Sequence, residues 1–142
     1  TSHTECTAEE AYRWSNGKAI FASVCPFEPV IYTGKLLKPG QGNNAYIFPG
    51  VGLGVTISKA RLVTEPMFLA AAHALSAQIL PEEIAAGSIY PSINRVRPVS
   101  LAIAVAVCQV AKQAGLTEET LPETDLASYI AAKMYDPQYR VN

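Results

Sequence analysis

The sequence predicts an α/β chain whose second half is mainly helical, and three observations predict it. A capped helix runs into a short apolar strand within the first 23 residues, which is the helix-to-buried-strand order of α/β folds. Turn-forming residues then punctuate short extended pieces as far as residue 44. Beyond Thr64, apolar residues recur at helical spacing. A length of 142 residues suits one compact domain, which buries roughly two-thirds of its unfolded surface. With 49% hydrophobic and only 16% charged residues, the chain has too little polar surface to wet a free-standing small domain, so some apolar surface faces a partner or another domain.

Thr7 and Glu10 have capping-box spacing, which predicts a helix over residues 8–15 that Asn16 and Gly17 end in left-handed backbone. Residues 19–23 (Ala-Ile-Phe-Ala-Ser) follow as a short buried strand. Pro26 and Pro29 hold a loop, and residues 30–32 and 35–37 flank Thr33-Gly34 as a small hairpin. A loop of turn residues and carboxamides, Lys38-Pro39-Gly40-Gln41-Gly42-Asn43-Asn44, leads into an apolar stretch over 45–57. Thr64 is expected to cap the next helix, with Glu65 and Pro66 in its first turn and Phe68, Ala71, Leu75 and Ile79 as its buried stripe. Residues 81–86 form a helical turn closed by Gly87, and 90–98 an irregular connection with two prolines. Residues 101–107 alternate large and small, taken literally a strand period. Length through Gln113, alanine content and a stop at Gly115 instead predict a buried helix. Asp125 caps a last helix over 126–134, with Leu126, Ile130 and Met134 on one face and Pro137 preventing continuation.

A formal charge of -1 gives no electrostatic case for nucleic acid or an anionic membrane, which select clustered Lys and Arg. The longest apolar run, 99–111, is broken by Ser100 and Gln109 and falls short of the roughly twenty residues that cross a bilayer. Cys6, Cys25 and Cys108 are too widely spaced for a disulfide framework or a CxxC pair, so buried thiols in reducing, cytosol-like surroundings are expected. A cysteine nucleophile needs a nearby histidine, and only His3 and His73 exist.

The glycines of Gly50-Val51-Gly52-Leu53-Gly54 resemble a dinucleotide fingerprint at the wrong spacing. Close helix packing through missing side chains explains them better. Asn43 and Asn44 present paired carboxamides to a carboxylate, hydroxyl or carboxamide ligand, although from the residues alone a turn or helix cap accounts for them better. His73 reads as a packed or half-exposed helix residue, and Arg95 and Arg97 as a solvated strand-like edge. Glu82, Glu83, Glu118, Glu119 and Asp125 read as helix-start acids, so no catalytic carboxylate pair and no metal cluster is expected.

The strings Glu5-Cys6-Thr7-Ala8-Glu9-Glu10-Ala11-Tyr12 and Gly17-Lys18-Ala19-Ile20-Phe21-Ala22-Ser23 resemble the malic enzyme family. So do Pro39-Gly40-Gln41-Gly42-Asn43-Asn44-Ala45-Tyr46-Ile47-Phe48-Pro49-Gly50 and the ending Met134-Tyr135, Pro137 and Tyr139-Arg140. The resemblance implies the C-terminal part of a Rossmann-like cofactor domain, residues 1–60 with the substrate loop, followed by a helical C-terminal region, residues 61–142. It implies an enzyme that oxidises malate with NADP or NAD and, on Mg or Mn, decarboxylates the product to pyruvate. Asn43 and Asn44 would then bind substrate and cofactor.

The family's tyrosine acid, lysine base, metal-binding acids and glycine fingerprint lie upstream of every matched string, and Thr1-Ser2 follow directly on a family asparagine-proline pair that borders the active site. No catalytic residue or metal ligand is therefore expected in this segment, and 142 residues alone are expected to be inactive. Val24-Cys25 stand where the family has glycine-serine, so a larger side chain is expected against the loop. The implied partners are malate or pyruvate, the remaining domains of the same enzyme and further copies in a homo-oligomer; a cytoplasmic location is expected, with mitochondrial or plastid forms open. Two rivals from other classes stand beside this reading: a non-catalytic packing module, and an independent small binding protein. Finding upstream domains with the chain discriminates the first, and a monomeric, non-sticky chain would favour the second.

Overall fold

A computed structural model describes residues 4–135; Thr1, Ser2, His3, Pro137, Tyr139 and Arg140 lie outside the described residues. The α/β expectation holds. Helix α1 (Ala8–Trp14) opens on the expected capping box: the Thr7 hydroxyl accepts the Glu10 amide at 3.2 Å and the Glu10 carboxylate accepts the Thr7 amide at 2.8 Å. Asn16 and Gly17, at φ 53° and 74°, turn the chain out of the helix. Ala8 and Tyr12 are buried with Leu37 in a small cluster that Phe21, Phe27 and Val30 flank.

The strand expected over 19–23 is regular only at β1 (Ala22–Ser23), which pairs in parallel with β4 (Gly40–Gln41). Ile20 is 68% exposed rather than buried, since among the described residues the pair gains no third strand to cover it. Between them lies the expected hairpin, β2 (Val30–Tyr32) with β3 (Lys35–Leu37). Thr33 and Gly34 both take positive φ, 48° and 80°, as a two-residue turn matched to strand twist requires.

A 3-10 turn (Asn44–Tyr46) leads into α2 (Phe48–Ser58). Here the three glycines lie on a helix, and two of them set its packing on α5 (Val96–Gln113). A Cβ at Gly50 would sit 2.6 Å from Ile103 Cβ, and one at Gly54 2.8 Å from Val107 Cβ, whereas one at Gly52 would meet nothing within 4 Å. Backbone therefore approaches backbone closely, as the packing interpretation of these glycines requires. The Ser58 hydroxyl, buried between these helices, donates to Gly54 C=O at 2.7 Å.

In α3 (Glu65–Ser76) the buried stripe is Met67, Ala71 and Leu75, not Phe68, which is 45% exposed. One residue is about 100° of helix rotation, and the i, i+4, i+8 row selects Met67. Thr64 occupies the cap position but its side chain accepts no helix amide, and Ile79 lies beyond the helix end, half-buried. Pro66 needs no partner in the first turn. The short α4 (Pro81–Ala85) is closed by Gly87 at φ 84°, as expected.

Residues 90–98 are more regular than expected: a 3-10 turn (Ile93–Arg95) feeds α5, and Pro98 falls in its first turn, where no intrahelical amide bond is required. Arg95 and Arg97 consequently form no strand-like edge. Arg95 Nη1 donates to Gln78 C=O at 2.8 Å and Arg97 Nη1 to Tyr135 C=O at 2.7 Å. Residues 93–113 have the length and mean hydropathy, 1.3, of a membrane-crossing helix. Val99, Ile103, Val107 and Ala111 nonetheless bury one face of α5 against Tyr46, α2 and α3, and Ala104 and Cys108 bury another with Ile57, Leu121 and Ile130. It is the core helix on which α2, α3 and the last helix pack. Gly115, at φ 64°, follows its end. Asp125 caps α6 (Leu126–Ala131) through Ser128 N at 3.3 Å, and Ile130 is buried between half-buried Leu126 and Met134. The helix is shorter than expected. Residue 60 lies in the connection between α2 and α3, and the larger apolar cluster spans both sides of it.

Candidate functional site

The carboxamide loop is pinned from behind by β1. Gly40 N donates to Phe21 C=O at 2.8 Å, Gly42 N to Ser23 C=O at 2.9 Å, and Gln41 Nε2 to Val24 C=O at 3.3 Å. Val24 therefore meets the loop through its carbonyl. The residue is 73% exposed, so the expected crowding by a larger side chain does not occur, and Cys25 beside it is half-buried.

Asn43 is the cap of the 3-10 turn: at φ -103° and ψ 137° it directs Oδ1 to Ala45 N, 2.8 Å away. The capping explanation accounts for that oxygen, and the carboxamide nitrogen carries two further donors. Asn44 begins the turn and is exposed. Both asparagines line one side of an open cleft of about 380 Å³, faced by Ala72, Leu75 and Ser76 of α3 and by Ile89 and Tyr90. Apolar walls with a few convergent amides suit a small polar ligand held by hydrogen bonds. Among the described residues the lining carries no carboxylate, imidazole or amine.

Other candidate groups lie elsewhere. His73 is exposed on α3 and does not line the cleft. Glu119, expected at a helix start, instead lies outside any helix and pairs with Lys59 at 2.8 Å. The Lys59 ammonium holds the Glu119 carboxyl below its usual range, and Glu119 in turn raises Lys59. Glu83 does more than complement a helix dipole: it accepts Leu80 N at 2.8 Å and Ser92 N at 2.7 Å and faces Arg95 at 3.6 Å. Cys108 is fully buried, and burial pushes its thiol up to about 11; Cys6 and Cys25 are half-buried. Among the described residues no three His, Cys, Asp or Glu side chains come together as a metal site. The α3 wall and Tyr90 were missed by sequence reasoning, since no local pattern links residue 90 to a loop so far back in the chain.

Comparison with known proteins follows the same lines. A family model described as "Malic enzyme, NAD binding domain" matches residues 1–112. The chain is 51% identical over 140 residues to the chloroplastic NADP-dependent malic enzyme of Oryza sativa subsp. japonica, covering 99% of this chain and 22% of that protein. It is equally identical, 51% over 140 residues, to the NADP-dependent malic enzyme of Populus trichocarpa, with 99% and 24% covered. NADP-dependent malic enzyme 2 of Arabidopsis thaliana is 47% identical over 140 residues, again with 99% and 24% covered. The chain thus spans less than a quarter of the length of these relatives.

Proposed function

The chain belongs to the malic enzyme family, and on that premise we propose that it supplies the ligand-orienting loop of an enzyme that oxidises malate with NADP or NAD and decarboxylates it to pyruvate and CO2. The observation that carries this reading is the placement of Asn43 and Asn44 together on one side of the cleft, on a loop tied to β1 by main-chain bonds. With its oxygen engaged by Ala45 N, Asn43 has its amide N–H groups to offer to a malate carboxylate. Asn44 offers both an acceptor and donors, which suits a hydroxyl or the nicotinamide carboxamide. The nicotinamide, when bound, accepts the hydride. These side chains bind and orient, and they move no proton.

The residues described here do not fit the divalent Mg or Mn that the overall reaction calls for. Its ligands, with the acid and the base, are assigned to the rest of the enzyme. The names of the relatives favour NADP. We assign residues 1–60 to the last part of the cofactor domain and 61–142 to a helical C-terminal region, whose exposed apolar residues, Leu62, Phe68 and Leu69 among them, pack on other domains or on further copies in an oligomer. A plastid location suits the printed name of the Oryza sativa relative, which is chloroplastic.

Asn44→Ala in the complete enzyme tests the assignment. Loss of a transition-state hydrogen bond to a charged group costs about 1.5–3 kcal/mol, roughly ten- to a hundredfold in kcat/KM, with melting temperature unchanged because Asn44 caps nothing. Asn43→Ala is expected to lower both, since it also removes a cap worth about 1 kcal/mol. Normal kinetics in Asn44→Ala would sink the site assignment.

A further inference from the structure

The return segment between α4 and α5 grips the carboxamide loop and the 3-10 turn that follows it at three places. Ala86 C=O accepts Lys38 N at 2.8 Å. The buried Tyr46 hydroxyl donates to Pro91 C=O at 2.5 Å. The Tyr90 ring stacks on Tyr46, centroids 5.6 Å apart and planes 17° from parallel. Tyr90 also lies directly against the two glycines that flank Gln41. A Cβ at Gly40 would fall 3.3 Å from Tyr90 Cδ2, and one at Gly42 3.4 Å from the Tyr90 hydroxyl oxygen. Glycine at both positions lets an aromatic ring approach the backbone. The loop is thus held both by the carbonyls of Phe21, Ser23 and Val24 and by contact with this ring.

We propose that Tyr90 is the positioning residue of the ligand loop: its ring is the shelf that sets the height of residues 40–42 and so aims Asn43 and Asn44 into the cleft. The inference rests on the reading of those asparagines as ligand contacts. Replacing the ring by a smaller apolar group removes the support under Gly40 and Gly42 and the stack on Tyr46 together. The loop is then free to settle toward the vacated space, and a misplacement of about 1 Å in an orienting group is enough to cost on the order of a hundredfold in rate.

The test compares Tyr90→Leu, Tyr90→Phe and Asn44→Ala in the complete enzyme, reading kcat and KM for malate and the melting temperature of each. Tyr90→Leu is expected to lower kcat/KM roughly ten- to a hundredfold at temperatures where it is fully folded, and Tyr90→Phe, which keeps the ring, to restore most of it. A folded Tyr90→Leu with a lower melting temperature and ordinary kinetics would mean a purely structural ring and overturn the proposal. Equal losses in the Phe and Leu variants would also overturn it, by showing that the hydroxyl and not the ring matters. If Tyr90→Leu does not fold, Tyr90→Met takes its place, being equally ring-less but more adaptable in a core, with the same loss expected; ordinary kinetics in the folded Tyr90→Met enzyme overturn the proposal. Normal kinetics in Asn44→Ala would instead fell the underlying site reading, whereas an impaired Asn44→Ala beside an unimpaired Tyr90→Leu fells the shelf alone.

Discussion

Substituting alanine at Gly50, Gly52 and Gly54 in turn separates packing from propensity on a single helix. At Gly54 the new methyl would stand 2.8 Å from Val107 Cβ and 2.9 Å from Ala104 C=O; at Gly50 it would stand 2.6 Å from Ile103 Cβ and 2.9 Å from Ser100 C=O. Carbon atoms prefer about 3.5–4.0 Å, so α2 and α5 must separate by roughly an ångström. Neither a backbone carbonyl nor the branch point of Ile or Val can rotate aside. Overpacking of this kind costs about 1–3 kcal/mol, partly offset by about 0.5–1 kcal/mol from removing a mid-helix glycine. The net loss is about 0–2.5 kcal/mol, centred on about 1 kcal/mol, at Gly54 and more at Gly50. Gly52 faces open space, so Gly52→Ala carries only the propensity gain and is expected to stabilise. Urea unfolding of the chain followed by circular dichroism gives the three midpoints, expected in the order Gly52→Ala, wild type, Gly54→Ala, Gly50→Ala. Gly50→Ala or Gly54→Ala as stable as wild type, or Gly52→Ala as damaging as they are, would refute the close-packing argument.

Two further outcomes follow from the same structure. The Cys108 thiol, pushed by burial to about 11 and buried on α5 among Ile57, Leu121 and Ile130, stays protonated at pH 8 and is expected to resist iodoacetamide until the chain unfolds; mass spectrometry showing equal labelling of folded and unfolded chain would contradict this. Glu83→Ala takes a carboxylate from two backbone amides and from Arg95 and is expected to cost about 2–3 kcal/mol, read as a lowered urea midpoint, with an unshifted midpoint counting against the Glu83 clasp.

The sequence alone determined what depends on neighbours within a turn or two of chain. The Thr7 and Glu10 capping box, the Thr33-Gly34 turn, the stops at Gly17, Gly87 and Gly115 and the packing role of Gly50 and Gly54, though not of Gly52, were legible because each rests on backbone geometry or spacing over a few residues. Family membership was legible too, through the Gln41-Gly42-Asn43-Asn44 string and its flanks. What only the tertiary structure decided is which way such elements face and what meets them from far along the chain. One residue of helix rotation exchanged Met67 for Phe68 in the core, and Arg95 and Arg97 found carbonyl acceptors at Gln78 and Tyr135 that no local pattern announces. Val24 showed its carbonyl to the loop and left its side chain outside. The division of labour within Asn43, and the Tyr90 ring beneath Gly40 and Gly42, exist because segments distant in sequence pack in contact, and packing geometry is a property of the folded chain that residue spacing does not encode.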